Sequence, residues 1–90
     1  MALLFENQTA DDTSLIQKST GGNMQIQVQG NLDGASIQPQ ISQDELDFID
    51  FGDPITTEVA FKIELKNETR VQFVMTGSGA STDINLSALV

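Results

Sequence analysis

The six residues Met24-Gln25-Ile26-Gln27-Val28-Gln29 alternate strictly between apolar side chains and glutamine. A period of two is the signature of a half-buried β-strand, with Met24, Ile26 and Val28 facing a core and the glutamines facing away. The device returns in Ile37-Gln38-Pro39-Gln40-Ile41, where Ile37 and Ile41 point inward and Gln38 and Gln40 outward. Pro39 has no N–H to donate to a ladder, so this strand is expected at a sheet edge or at a bulge.

Two further runs, Val59–Leu65 and Arg70–Met75, alternate in the same way and flank the polar tetrapeptide Lys66-Asn67-Glu68-Thr69. That spacing predicts a β-hairpin. Its inward set is Val59, Phe61, Ile63, Leu65, Val71, Phe73 and Met75, and the core is expected where Met24, Ile26 and Val28 face Val59, Phe61, Ile63 and Leu65. Ile84-Asn85-Leu86-Ser87-Ala88 predicts a last strand. Weaker strands are expected at Leu3–Asn7, Ser14–Lys18 and Leu46–Asp50. Gly21-Gly22, Asp33-Gly34, Gly52-Asp53-Pro54 and Gly77-Ser78-Gly79 punctuate the gaps. No window has a sustained helical period and no internal repeat stands out. The fold class is all-β, an antiparallel β-sandwich or small barrel of about seven to eight short strands. Residues 1–90 form one domain. Within residues 1–13, the adjacent Leu3, Leu4 and Phe5 form either a first strand or an arm that docks on a neighbouring subunit.

Composition narrows function by what is missing. The chain has no Cys, His, Trp or Tyr. It therefore lacks a thiolate, the usual acid–base group near neutral pH and the commonest zinc ligand. Serine has no recognisable activating partner. These absences argue against an enzyme and against a bound cofactor. Thirteen acids against four bases give a formal charge of -9, which argues against nucleic acid and against an anionic membrane surface as partners. Met1–Glu6 has no basic n-region and only a short apolar run, so no export signal is expected and synthesis is assigned to the cytosol.

Several groups of residues are candidates for a site. Asp44, Glu45, Asp47, Asp50 and Asp53 could converge on Ca²⁺, but their spacing is not that of an EF-hand loop, and the bland reading is a solvated acidic rim. Lys62, Lys66 and Arg70 are three of the four bases and flank the predicted hairpin. They form either a basic spot for an acidic partner or cross-strand pairs with Glu64 and Glu68. Gln25, Gln27, Gln29, Gln38, Gln40 and Gln72 are neutral hydrogen-bonding groups at outward positions. They suit a wet protein–protein contact, or are simply a polar face. Gly77-Ser78-Gly79-Ala80-Ser81 has the composition of a phosphate-cradling loop but no P-loop Lys, and reads as a flexible hairpin tip. Three matches to the N-glycosylation pattern, at Asn7, Asn67 and Asn85, read as chance.

Taken in order, Phe5–Ala10, Thr13-Ser14, Gly21-Gly22, Gln27–Gly30, Gly34–Ile37, Ser42-Gln43-Asp44, Phe48–Asp50, Glu64-Leu65, Arg70 and Thr76–Leu86 resemble small β-sandwich virion accessory proteins of tailed bacteriophages, especially the capsid decoration (cement) type. Those relatives often carry Trp after the Ser-x-Asp turn; this chain has Phe48, expected to plug the core instead. The resemblance implies a structural protein on the capsid surface that binds the major capsid protein or another virion protein. An adaptor of tail or head fibres and a host-surface or glycan-binding module are the alternatives. Self-association into a closed ring is expected, with a trimer suited to threefold lattice positions. Leu3, Leu4, Phe5, Gln25, Gln27, Gln29, Gln38, Gln40, Lys62, Lys66 and Arg70 are the candidate contact residues.

Overall fold

The computed structural model describes residues 1–90 and contains strands and turns but no helix. The strands are β1 (Ala2–Gln8), β2 (Asp12–Thr13), β3 (Gln17–Lys18), β4 (Gly22–Asn31), β5 (Ser36–Ser42), β6 (Ile49–Asp50), β7 (Val59–Leu65), β8 (Arg70–Thr76) and β9 (Asp83–Leu89). They form two antiparallel sheets that pack into a sandwich. The first has the order β1-β9-β4-β7; the second has β2-β8-β5-β6, with β3 also on β8. Every connection except β2–β3 and β5–β6 crosses from one sheet to the other. With β2 and β3 counted as one interrupted strand, the orders become 1-8-3-6 and 2-7-4-5. That is the wrapping of a jelly roll.

The alternating runs all form strands, but on Val59–Leu65 the expected inward row is incompletely covered: Leu65 is buried, Phe61 and Ile63 are half-buried and Val59 is exposed. Met24, Ile26 and Val28 on β4, Ile84, Leu86 and Ala88 on β9, and Val71, Phe73 and Met75 on β8 are all buried in one cluster. Their pairing differs from the expectation, however. β7 and β8 do not form a hairpin: β7 pairs with β4 in the first sheet and β8 with β5 in the second. Lys66–Thr69 is an arch between sheets, closed by Thr69 N–H donating to the Lys66 carbonyl (3.1 Å) with Glu68 at φ 76°. Both strands carry apolar inward rows, and an arch stacks those rows across the core where a hairpin would set them side by side. Accordingly, Met24, Ile26 and Val28 lie beside Ile63, Phe61 and Val59 in one sheet instead of facing them.

Pro39 also departs from the expectation, because β5 lies between β8 and β6 and is not an edge. The Pro39 carbonyl accepts from Phe51 N–H (2.9 Å). In an antiparallel strand the N–H and C=O of one residue point the same way. The missing donor therefore faces the short, irregular β6 side, and the ladder to β8 is intact.

β1 is a strand and not a free arm. A register shift between Leu3 and Phe5 inserts one extra residue, so the adjacent Leu4 and Phe5 are both buried while Leu3 points out. Of the predicted Ser14–Lys18 strand only Gln17–Lys18 forms, as β3; β2 precedes it at Asp12–Thr13, and Leu15 and Ile16 in the break between the two are exposed. Ser14 bridges the break. Its N–H donates to the Phe73 carbonyl (2.8 Å), and its hydroxyl accepts from Phe73 N–H (2.9 Å). Ser14→Ala should leave that buried N–H without a partner and cost about 1–3 kcal/mol, read as a lower urea midpoint. Gly30 has φ 113°, and a Cβ there would lie 2.2 Å from the Asp83 carbonyl oxygen. Gly30→Ala should therefore lower Tm more than Gly22→Ala, where no atom lies within 4 Å of the added carbon.

Candidate interaction site

The candidate contact residues fall into four separate places. Gln25, Gln27 and Gln29 lie on the outer face of the first sheet. There the register aligns Leu3, Ser87, Gln27 and Ala60 in one row across all four strands. The next row is Leu89, Gln25 and Lys62, and Gln29 pairs with Asn85. Leu3 is 41% exposed and Leu89 54%, with Met1 at 83% beside them. The row from Leu3 to Ala60 carries no charge, in a chain whose formal charge is -9. Apolar side chains next to unpaired amides form a surface that can be dehydrated without stripping an ion of water.

Gln38 and Gln40 occupy the opposite outer face and are already engaged. Gln72 Nε2 donates to Gln40 Oε1 (2.9 Å), and Gln40 Nε2 donates to Asp50 Oδ1 (3.1 Å). This amide ladder spans β8, β5 and β6. Gln38 Nε2 donates to the Gly52 carbonyl (3.1 Å). The glutamines thus do not form one surface, and those of the second sheet stitch its short edge strand in place. Leu4 and Phe5 belong to the core, so of the N-terminal trio only Leu3 is exposed.

The bases separate as well. Arg70 Nε is paired with Glu45 on the second sheet, and its Nη1 donates to the Glu68 carbonyl (3.0 Å). Lys18 pairs with Glu68 (3.2 Å). Lys62 and Lys66 have no acidic partner. They lie on and just beyond β7, so the three bases around the arch do not make one spot.

The acidic segment serves local structure. Ser42 Oγ accepts from the N–H groups of Asp44 (3.2 Å) and Glu45 (3.0 Å) and donates to Asp44 Oδ1 (2.9 Å). Asp44 Oδ1 accepts in turn from the N–H groups of Leu46 and Asp47, both at 3.0 Å. These donors hold the Asp44 carboxyl down at about 2, the Asp47 and Leu46 amides contributing most. No three acidic side chains of the chain converge on one point. Phe48 is half-buried and stands outside the main cluster.

The Gly77–Ser81 loop joins β8 to β9 across the two sheets, so it is not a hairpin tip. Asp11 accepts from the N–H groups of Gly77 (3.2 Å) and Ser78 (2.8 Å), and Asp33 from Ser81 N–H (2.8 Å). The loop's N–H groups do gather anions, and these are the chain's own carboxylates. The Ser78 donors lower the Asp11 pKa.

Between β7 and residues 51–57 the sandwich is open. A cleft of about 450 Å³ lies there, with Phe73 and Pro39 among its walls and Phe51, Phe61 and Ile63 half-buried around it. Comparison with known proteins finds no matching protein family, no matching curated sequence and no matching solved structure.

The Asp44 cap carries a pH signature. A carboxyl whose folded pKa is depressed adds stability above its unfolded pKa, and that contribution is lost as the pH falls toward the folded value. Asp44→Asn should therefore be less stable than the parent at neutral pH, with the gap closing between about pH 4 and pH 2. Urea melts of both proteins across that range check it.

Proposed function

We propose that this protein is a structural virion component of the capsid decoration type, which docks on the lattice of a major capsid protein and performs no chemistry of its own. The observation that carries the reading is the uncharged outer row Leu3–Ser87–Gln27–Ala60, with Leu89 and Met1 beside it, on an otherwise acidic sandwich. A row without charge, with Lys62 in the row beside it, can meet a partner without self-repulsion at the contact, while the net charge of -9 keeps the free protein dispersed. Many modest contacts repeated on a symmetric lattice add avidity without any single strong site. Jelly-roll wrapping supports the reading by analogy of fold, since viral capsid domains use it, as do lectins.

The reading predicts that the protein is present in purified phage particles and that immunogold label lies over the head. Absence from particles removes the proposal. Label confined to tails would make the protein a fibre or tail adaptor. Glycan-array binding without capsid occupancy would replace the reading with that of a glycan-binding module. In add-back experiments on undecorated heads, Leu3→Glu and Leu89→Glu should each lower occupancy by about tenfold or more. Gln72→Glu, on the opposite face, should leave occupancy unchanged.

A further inference from the structure

Three of the four sheet edges are blunted. β1 carries two register shifts, and its Leu4 carbonyl accepts from Leu15 N–H (3.3 Å). β2 and β3 are two residues each, separated by the break at Leu15 and Ile16. β6 is two residues and runs into Gly52-Asp53-Pro54. β7 is the exception. It has seven residues without Gly or Pro, and its register with β4 is unbroken from Gly22–Leu65 to Val28–Val59. From Val59 to Glu64, no side chain or loop hydrogen-bonds to its second edge. A long, regular, uncovered edge is a template for another strand.

We infer that the β7 edge pairs antiparallel with β7 of a second copy of this chain, across a twofold axis centred on Ile63. Strand overlap and side chains together select the occupant and the register; an axis on Ala60 or Leu65 leaves three residues of β7 or fewer in the pair. A twofold axis normal to the sheet pairs residues of the same face, so the axis must pass a residue. Centred on Lys62 or Glu64, it sets a like charge opposite itself. Centred on Phe61, it sets Glu64 opposite Glu58. Centred on Ile63, it sets each Lys62 opposite the Glu64 of the other copy on the outer face. On the inner face, Phe61 then meets Leu65 and Ile63 meets Ile63. Opposite charges facing across strands stabilise the pair, and like charges oppose it.

The surrounding charge points to the same occupant. Lys62 and Lys66 are the two cations without an acidic partner. Residues 58–66 carry two acids and two bases, so this edge is neutral on a chain of charge -9. For two copies that repel each other elsewhere, it is the place of least repulsion. The half-buried Phe61 and Ile63 border the cleft, so edge pairing brings the two open sides together around the axis. The contact is isologous and closes as a dimer, in place of the trimer expected from lattice geometry. It does not depend on what the outer face of the first sheet binds.

Sedimentation equilibrium on the full chain tests the inference. The parent should form a concentration-dependent dimer. Lys62→Glu and Glu64→Lys should each weaken it by about tenfold or more. The double variant K62E/E64K, which restores both pairs with the parent's net charge, should recover it. Lys18→Glu changes net charge as Lys62→Glu does, but on the other sheet, and should weaken the dimer far less. Circular dichroism confirms that each variant is folded. A parent that stays monomeric into the millimolar range overturns the inference. So does a trimer, a dimer indifferent to both single changes, or a double variant no better than the single ones.

Discussion

Two sheets with no disulfide or metal between them are held by the contact of their inward rows. Phe73, Ile26, Ile37, Ile84 and Leu86 are fully buried in that contact. A domain of this size has a net stability of only about 5–13 kcal/mol, so one or two such side chains account for much of it. The few polar ties between layers lie at the margins. Leu15 N–H reaches the Leu4 carbonyl, and Ser19 Oγ reaches the Leu65 carbonyl (3.3 Å). They set where the sheets end; the apolar rows decide that there are two.

Because the rows are period-two patterns, they could be read from the chain. Met24, Ile26, Val28, Ile84, Leu86 and Ala88 are buried as the alternation requires. Pairing could not be read in the same way. Alternation fixes which face of a strand is wet, but not which strand lies beside it. The run Lys66-Asn67-Glu68-Thr69 serves a hairpin or an arch equally well, and the choice depends on partners far away in the chain. Pro39 misled for a related reason: what matters is the direction its missing N–H faces, which only the ladder defines. Leu4 and Phe5 break strict alternation, and the bulge that lets both turn inward left no local mark beyond their adjacency.

For the candidate contact residues, the outward placement of the glutamines was legible and their engagement was not. Alternation places the glutamines on outward faces, yet one set is free and the other is bound up across β8, β5 and β6. The sequence cannot separate them, because the difference is whether Gln40 has Gln72 and Asp50 as neighbours. The acids behave likewise. Asp11, Asp33 and Asp44 each accept backbone N–H groups from turns. Part of the strongly negative composition is thus the cost of turning the chain so often between layers.

The position of β9 has a consequence for how the molecule is made. Residues 83–89 lie between β1 and β4, in the middle of the first sheet. Until they have been synthesised, β1 has no strand to pair with and β4 has one bare side. A partial chain on the ribosome therefore holds its apolar rows without a closed sheet to bury them. Closure of the first sheet thus waits for residues 83–89, and a chain without them keeps its apolar rows exposed to aggregation.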